Sequence, residues 1–140
     1  MRTKIAVVVA TVAGLFLASA PLWAHHAFAA EFDAKQPVKL KGKVSKVEFI
    51  NPHSWVHVDV RGDDGKTTTW MIEGGSPNTL FRRGVTQQSL ALGTEIVVDG
   101  YRAKDGSNKA NGRDITLTDG KKLFMGSSGG EGAPYQEKGK

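Results

Sequence analysis

The chain contains no cysteine, which excludes a disulfide framework, thiolate metal sites and lipid attachment at a cysteine. Its fold must be held by packing alone. Long apolar runs are also scarce, and past the opening segment none approaches the roughly 20 residues that a membrane-spanning helix needs. No Ser-His-Asp grouping, phosphate loop or dinucleotide fingerprint occurs. Glu73, Asp99 and Asp114 are scattered acids without a paired-carboxylate spacing, so no catalytic constellation is visible and no enzyme is expected. Charge of one sign is modest as well: the formal net charge is +5, and removing Arg2 and Lys4 with a cleaved leader would lower it to +3. An excess of that size is ordinary for a solvated surface, and nucleic acid is not an expected partner.

What is present begins with a leader. Met1 to Lys4 is a short basic segment, Ile5 to Leu17 is an apolar run, and Ala18 to Ala24 is a small-residue stretch of the kind signal peptidases read. Residues 1–24 are therefore expected to be a signal peptide, cleaved near Ala24. The product would be periplasmic or secreted, with no membrane anchor, and would begin at His25. A cut after Ala20 is disfavoured because Pro21 would follow the scissile bond.

The remaining chain is long enough for one domain with one core. Residues 25–37 read as an N-terminal arm in which Phe28 and Phe32, four apart, can dock on one side of a helical or ordered segment that Pro37 ends. From Val38 the period becomes that of a strand. Its apolar parity switches between Val44 and Val47, which predicts a bulge near Ser45 and Lys46. Trp55 to Val60 alternates, Asp63 to Gly65 makes a hairpin turn, and Thr67 to Glu73 is the third strand. Ser76 then caps a short helix that opens on Pro77 and stops before Gly84. Strands four and five are expected at Ile96 to Arg102 and at about Asp114 to Thr118.

Five antiparallel strands with one helix between strands three and four suit a small all-β barrel of the OB type over residues 38–125. A small sandwich is the structural alternative. Residues 126–140 are rich in Gly, Ser, Glu and Lys and read as a disordered tail.

Histidine carries the chemistry. All four histidines follow the leader: His25 and His26 at the new terminus, His53 and His57 around the start of strand two. An N-terminal histidine offers its α-amino nitrogen and ring Nδ1 to one metal, and a further imidazole would complete a three-nitrogen site of the histidine-brace kind. Copper suits such a site best, with nickel or zinc next. Residues four apart along a strand are separated by roughly 13 Å, whereas ligand nitrogens lie about 2 Å from the ion, so His53 and His57 do not share a metal. His53, in the loop after Pro52, is the favoured partner of His25. His57 has Asp59 on its own strand face as a second possible support, and His26 is a further donor.

Several of these residues belong to a wider pattern. His25, His26, Ala27, Phe28, Glu31, Phe32 and Asp33, followed by Phe49, Asn51, Pro52, His53, Ser54 and Trp55, resemble the two hallmarks of a family of small exported bacterial proteins, domain of unknown function family 6152. The likeness continues through Glu73, Ser76, Pro77, Leu80, Arg82 and Gly84, then Ser89, Leu90, Gly93, Thr94 and Gly100, to Ala103 through Ser107. It implies an exported, small, β-rich domain and transfers no catalytic residue.

Two expectations from different classes result. One is a periplasmic metal-binding protein, with copper held by His25 and His53 and adjusted by His26 or His57. The other is a metal-free binding module that holds an anionic or extended ligand on a barrel face made of Trp55, Trp70, Lys39, Lys41 and Lys43. For the two tryptophans ordinary packing is the plainer reading, and for the lysines a solvated strand face.

Overall fold

A computed structural model describes residues 28–126. The fold is all-β, with six strands in one sheet: β1 (Phe32–Glu48), β2 (Trp55–Arg61), β3 (Thr67–Glu73), β4 (Glu95–Ala103), β5 (Lys109–Leu117) and β6 (Lys122–Phe124). A short helix, α1 (Pro77–Arg82), lies between β3 and β4, and residues 28–31 are helical. The sheet order is β3-β2-β1-β4-β5-β6, and β3 also pairs with β5. That additional pairing is parallel, which the expectation of antiparallel strands alone did not include.

The alternating sequence of the first hairpin dictates its register. Val56, Val58 and Ile72 fill the interior, and the turn closes with Gly62 N–H donating to the Lys66 carbonyl at 2.8 Å. Gly65 takes the positive φ of 78° that the turn requires. The predicted bulge in β1 is present. Val44 opposes Val58 and Lys46 opposes His57, so Ser45 is the extra residue. This shift lets Val44 and Val47 both face the core despite their odd spacing.

Gly42 marks the place where β1 passes close to β2. A Cβ there would stand 2.8 Å from Val58 Cγ1 and closer still to the Asp59 carbonyl oxygen. Helix α1 starts as its sequence predicts: Ser76 Oγ accepts from Thr79 N–H, Pro77 opens the first turn, and Leu80 is buried against the core.

Two strands start several residues earlier than the sequence predicts, and one further strand is present. Strand β1 begins at Phe32 rather than Val38, and Pro37 sits inside it opposite Tyr101 after a register shift. Strand β5 begins at Lys109, so Asn111 and Gly112 belong to a strand and not to the loop before it. Strand β6 was not expected; its three residues pair with Asp114 to Thr116 and bury Leu123. The leader, His25, His26 and the tail from residue 127 lie outside the described residues.

Candidate functional site

Among the described residues three polar side chains are buried, Ser54 (0%), Asn111 (3%) and Glu73 (4%), and all belong to one region. Glu73 opposes Asn111 across β3 and β5. Ser54 joins them through backbone bonds, its N–H donating to the Gly75 carbonyl at 3.0 Å and its carbonyl accepting from Gly74 N–H at 2.8 Å. Gly75 N–H in turn donates to the Met125 carbonyl at 2.8 Å. The loop that follows β1, which includes a cis Asn51-Pro52 bond, is thereby sewn to the end of β3.

This stitching brings His53 onto Glu73. His53 Nδ1 lies 2.6 Å from Glu73 Oε1, with the imidazole 31% and the carboxylate 5% exposed. In the tautomer where Nδ1–H donates to the carboxylate, the ring lone pair resides on Nε2. Burial pushes the Glu73 carboxyl up to about 7; Glu31 adds to that rise and Lys109 opposes it. The carboxylate that holds His53 is one of the three acids that look scattered in the sequence. Counting outward from the Asp63 to Gly65 turn places Glu73 opposite Trp55, so the signal was there in the hairpin register.

Register extends the site across the sheet. Trp55, Glu73, Asn111 and Tyr101 stand opposite one another in sequence on β2, β3, β5 and β4. The start of the described chain lies along the far end of this row. Phe28 meets Tyr101 edge to face with centroids 5.8 Å apart and stacks beside Phe32 at 5.9 Å. Lys104 N–H donates to the Glu31 carbonyl at 2.9 Å, the Lys104 ammonium donates to the Ala29 carbonyl, and Lys109 Nζ lies 3.9 Å from Glu31 Oε1.

His57 sits elsewhere, with a different partner. Its Nε2 is 2.7 Å from Glu48 Oε2, and Lys46 Nζ is 2.7 Å from the other Glu48 oxygen. The Lys46 and His57 hydrogen bonds, in that order, hold the Glu48 carboxyl below its ordinary value. Asp59, expected as the support of His57, instead accepts from the Thr69 hydroxyl at 2.6 Å. The bulge at Ser45 is what brings Glu48 opposite Trp55 and beside His57, and the sequence pattern did not resolve that consequence. The described residues contain no group of three or more His, Cys, Asp or Glu placed to hold a metal ion.

The other five residues do not make one face. Trp70 pairs with Val58, packs against the core and lies under the Arg102 guanidinium at 5.5 Å. Trp55 has the opposite parity on the same hairpin, alongside His57 and Asp59. The lysine face is largely ion-paired, Lys39 to Asp99 at 3.2 Å and Lys41 to Glu95 at 3.1 Å. Lys43 opposes Glu95 and Asp59 in the register. No helix among the described residues is long and apolar enough to cross a membrane.

A model of a family of unknown function, DUF6152, matches residues 13–112. The chain belongs to this family. The matched span runs through His25, His26, His53 and Glu73 and ends at the strand that carries Asn111. No curated protein and no solved structure matches the chain. Membership in DUF6152 assigns no activity.

Proposed function

We propose that this DUF6152 protein is exported and binds one metal ion, copper by preference, through the α-amine and ring of His25 and the imidazole of His53. The observation that carries the reading is the pairing of His53 Nδ1 with the nearly buried Glu73 carboxylate at 2.6 Å. Metal-binding histidines commonly donate their other ring N–H to a carboxylate, which fixes the tautomer and orients the ring. His57 makes the same kind of pair with Glu48 at 2.7 Å; what favours His53 is its place against Glu73, in the row of opposed residues that ends at Tyr101 beside Phe28. Three nitrogens on one ion suit copper, and nickel and zinc follow.

Reach supports the same assignment. His25 lies three positions before Phe28, and a chain of that length spans at most roughly 10 Å. Adjacent strands lie about 4.8 Å apart, so the strands of Tyr101 and Glu73, with β5 between them, are separated by roughly that reach. The described residues lack a self-contained metal cluster, so a donor from outside them is what this reading requires. The parallel pairing of β3 with β5 supports a sheet closed on itself as an OB-type barrel, with α1 between β3 and β4.

The test is a copper competition titration on the chain starting with a free His25 amine, beside the same chain carrying one extra glycine before His25. The expected outcome is tight one-to-one binding in the first and a loss of at least a hundredfold in the second and in His53→Ala. Equal affinities in all three would refute the site.

A further inference from the structure

We propose that the surface formed by Ile50, Phe81 and Leu92 docks on an anionic phospholipid membrane, the three apolar side chains entering the interface and Arg82 meeting the headgroups. The contact involves neither the His53–Glu73 pair nor a bound metal.

Among the described residues, Ile50 (55%), Phe81 (47%) and Leu92 (71%) are the large hydrophobic side chains left exposed. They come from three segments, the loop after β1, helix α1 and the turn before β4. Packing joins them. Phe49, the neighbour of Ile50, lies against Phe81 with ring centroids 4.9 Å apart. Two residues earlier, Val47 lines a groove of ≈ 390 Å³ together with Leu90 and Leu92. Val47 and Phe49 are themselves only partly buried against the core, so the exposed side chains stand on a continuous apolar floor. A contiguous apolar patch with a polar rim marks a docking surface.

Charge decides what this surface meets. The chain carries 14 acidic residues, one in ten, yet residues 49–58 and 74–94 contain none. All three exposed apolar side chains lie in these stretches, together with Arg82 and Arg83. The acids that border them are engaged elsewhere. Glu48 holds Lys46 and His57 at 2.7 Å each, Asp59 accepts from Thr69, Glu73 holds His53, and Glu95 holds Lys41 at 3.1 Å. Arg82, in the last turn of α1, is exposed, while the Arg83 guanidinium lies over the Phe124 ring at 4.4 Å. An apolar surface cleared of carboxylates and flanked by arginine is complementary to an anionic lipid interface, where apolar insertion and cation attraction add. Three separate apolar tips suit a deformable lipid layer, which adapts to them without a matching shape. A second copy fits less well, because a two-fold contact would set the arginines of one chain against those of the other.

The experiment is co-sedimentation of the chain from His25 to Lys140 with vesicles of phosphatidylethanolamine and phosphatidylglycerol, and with vesicles of phosphatidylcholine alone. The parent is compared with Leu92→Ser, Phe81→Ser, Arg82→Gln and Lys41→Gln, with melting and sedimentation velocity of each in the absence of lipid. The expected result is binding to the anionic vesicles that weakens with added salt and falls by about tenfold or more on phosphatidylcholine. Leu92→Ser loses about tenfold in partitioning, the effect of taking one leucine out of the interface, and Arg82→Gln loses about fivefold. Lys41→Gln, whose ammonium is already paired with Glu95, binds as the parent does. If Phe81→Ser melts early because its ring packs on Phe49, Leu92→Ser decides the question, since Leu92 is 71% exposed. A parent that does not distinguish the two kinds of vesicle, or a Leu92→Ser chain that binds as well as the parent, overturns the docking surface. An equal loss in Lys41→Gln and Arg82→Gln overturns it too, because overall charge and not this surface would drive the binding. So does a parent that sediments as a dimer and becomes a monomer in Leu92→Ser, which would make the patch a contact between copies.

Discussion

Replacing Glu73 with glutamine should change the pH dependence of stability in a direction that the structure dictates. In the unfolded chain this carboxyl titrates at 4.5; in the fold, burial beside His53, with Glu31 nearby and Lys109 opposing, carries it to about 7. Below pH 4.5 both states hold the proton, and the contribution to stability is present in full. Between 4.5 and about 7 the unfolded chain releases its proton while the folded one keeps it, so stability falls as pH rises. Above about 7 both states are ionised and the loss is complete. A rise from 4.5 to about 7 corresponds to about 3 kcal/mol. The side chain is only 5% exposed, so solvent screening takes little from that figure.

Glutamine keeps the size of the side chain and an oxygen that can accept from His53 Nδ1–H, but it does not ionise. Urea unfolding of metal-free protein at pH 4, 6 and 8 should find Glu73→Gln close to the parent at the lowest pH. Its advantage should grow to about 3 kcal/mol at the highest, a midpoint difference on the order of 1 to 3 M urea. An advantage that stays constant across that range would sink the argument. A parent that gains on the variant as pH rises would do so too, since it would mean that the ionised carboxylate is stabilised by His53 more than burial penalises it.

Two further substitutions test the scaffold. Gly75→Ala puts a Cβ 2.7 Å from the Gly126 carbonyl carbon and closer still to its oxygen. Neither backbone can yield while Gly75 N–H bonds to Met125, so a loss of about 2–3 kcal/mol is expected in urea unfolding. A loss under about 0.5 kcal/mol would show that this stitch can relax. Lys41→Met breaks the 3.1 Å pair with Glu95, but the two side chains are 70% and 44% exposed. The change in melting temperature should therefore correspond to less than about 0.5 kcal/mol, and a larger shift would make the lysine face structural.

The sequence made some of this legible because its local signals were strong and mutually consistent. Val56, Val58 and Val60 alternate, the Asp63 to Gly65 turn has the residues a tight turn needs, and β3 is found over the residues expected, Thr67–Glu73. The serine cap and Pro77 likewise place α1, and the parity switch in β1 is the bulge at Ser45. Strand β6 was hidden because its three residues carry no period of their own and exist by pairing with Asp114 to Thr116. The early start of β5 was hidden for a related reason. Asn111 and Gly112 carry loop chemistry, yet Asn111 lies in a strand because β3 and β4 flank it on either side. Trp70 was separable from Trp55 in principle, since an odd spacing across a known hairpin puts two residues on opposite faces.

The candidate site was half legible, and the missing half has one physical origin. Ligand logic could single out His53 from its place after Asn51 and Pro52, because that logic asks only what one side chain can donate. Its partner is twenty residues away in sequence and becomes a neighbour through two separate registrations. The hairpin turn puts Glu73 opposite Trp55, and the Ser54 to Gly74 and Gly75 bonds fold the loop back over that position. The first could be counted from the turn. The second depends on Gly75 lying flat against Gly126, a contact made by residues with no side chains to announce it. An acid that looks scattered in sequence thus becomes the most buried carboxylate of the described fold, and the loop folded over it is what sets His53 Nδ1 against it at 2.6 Å.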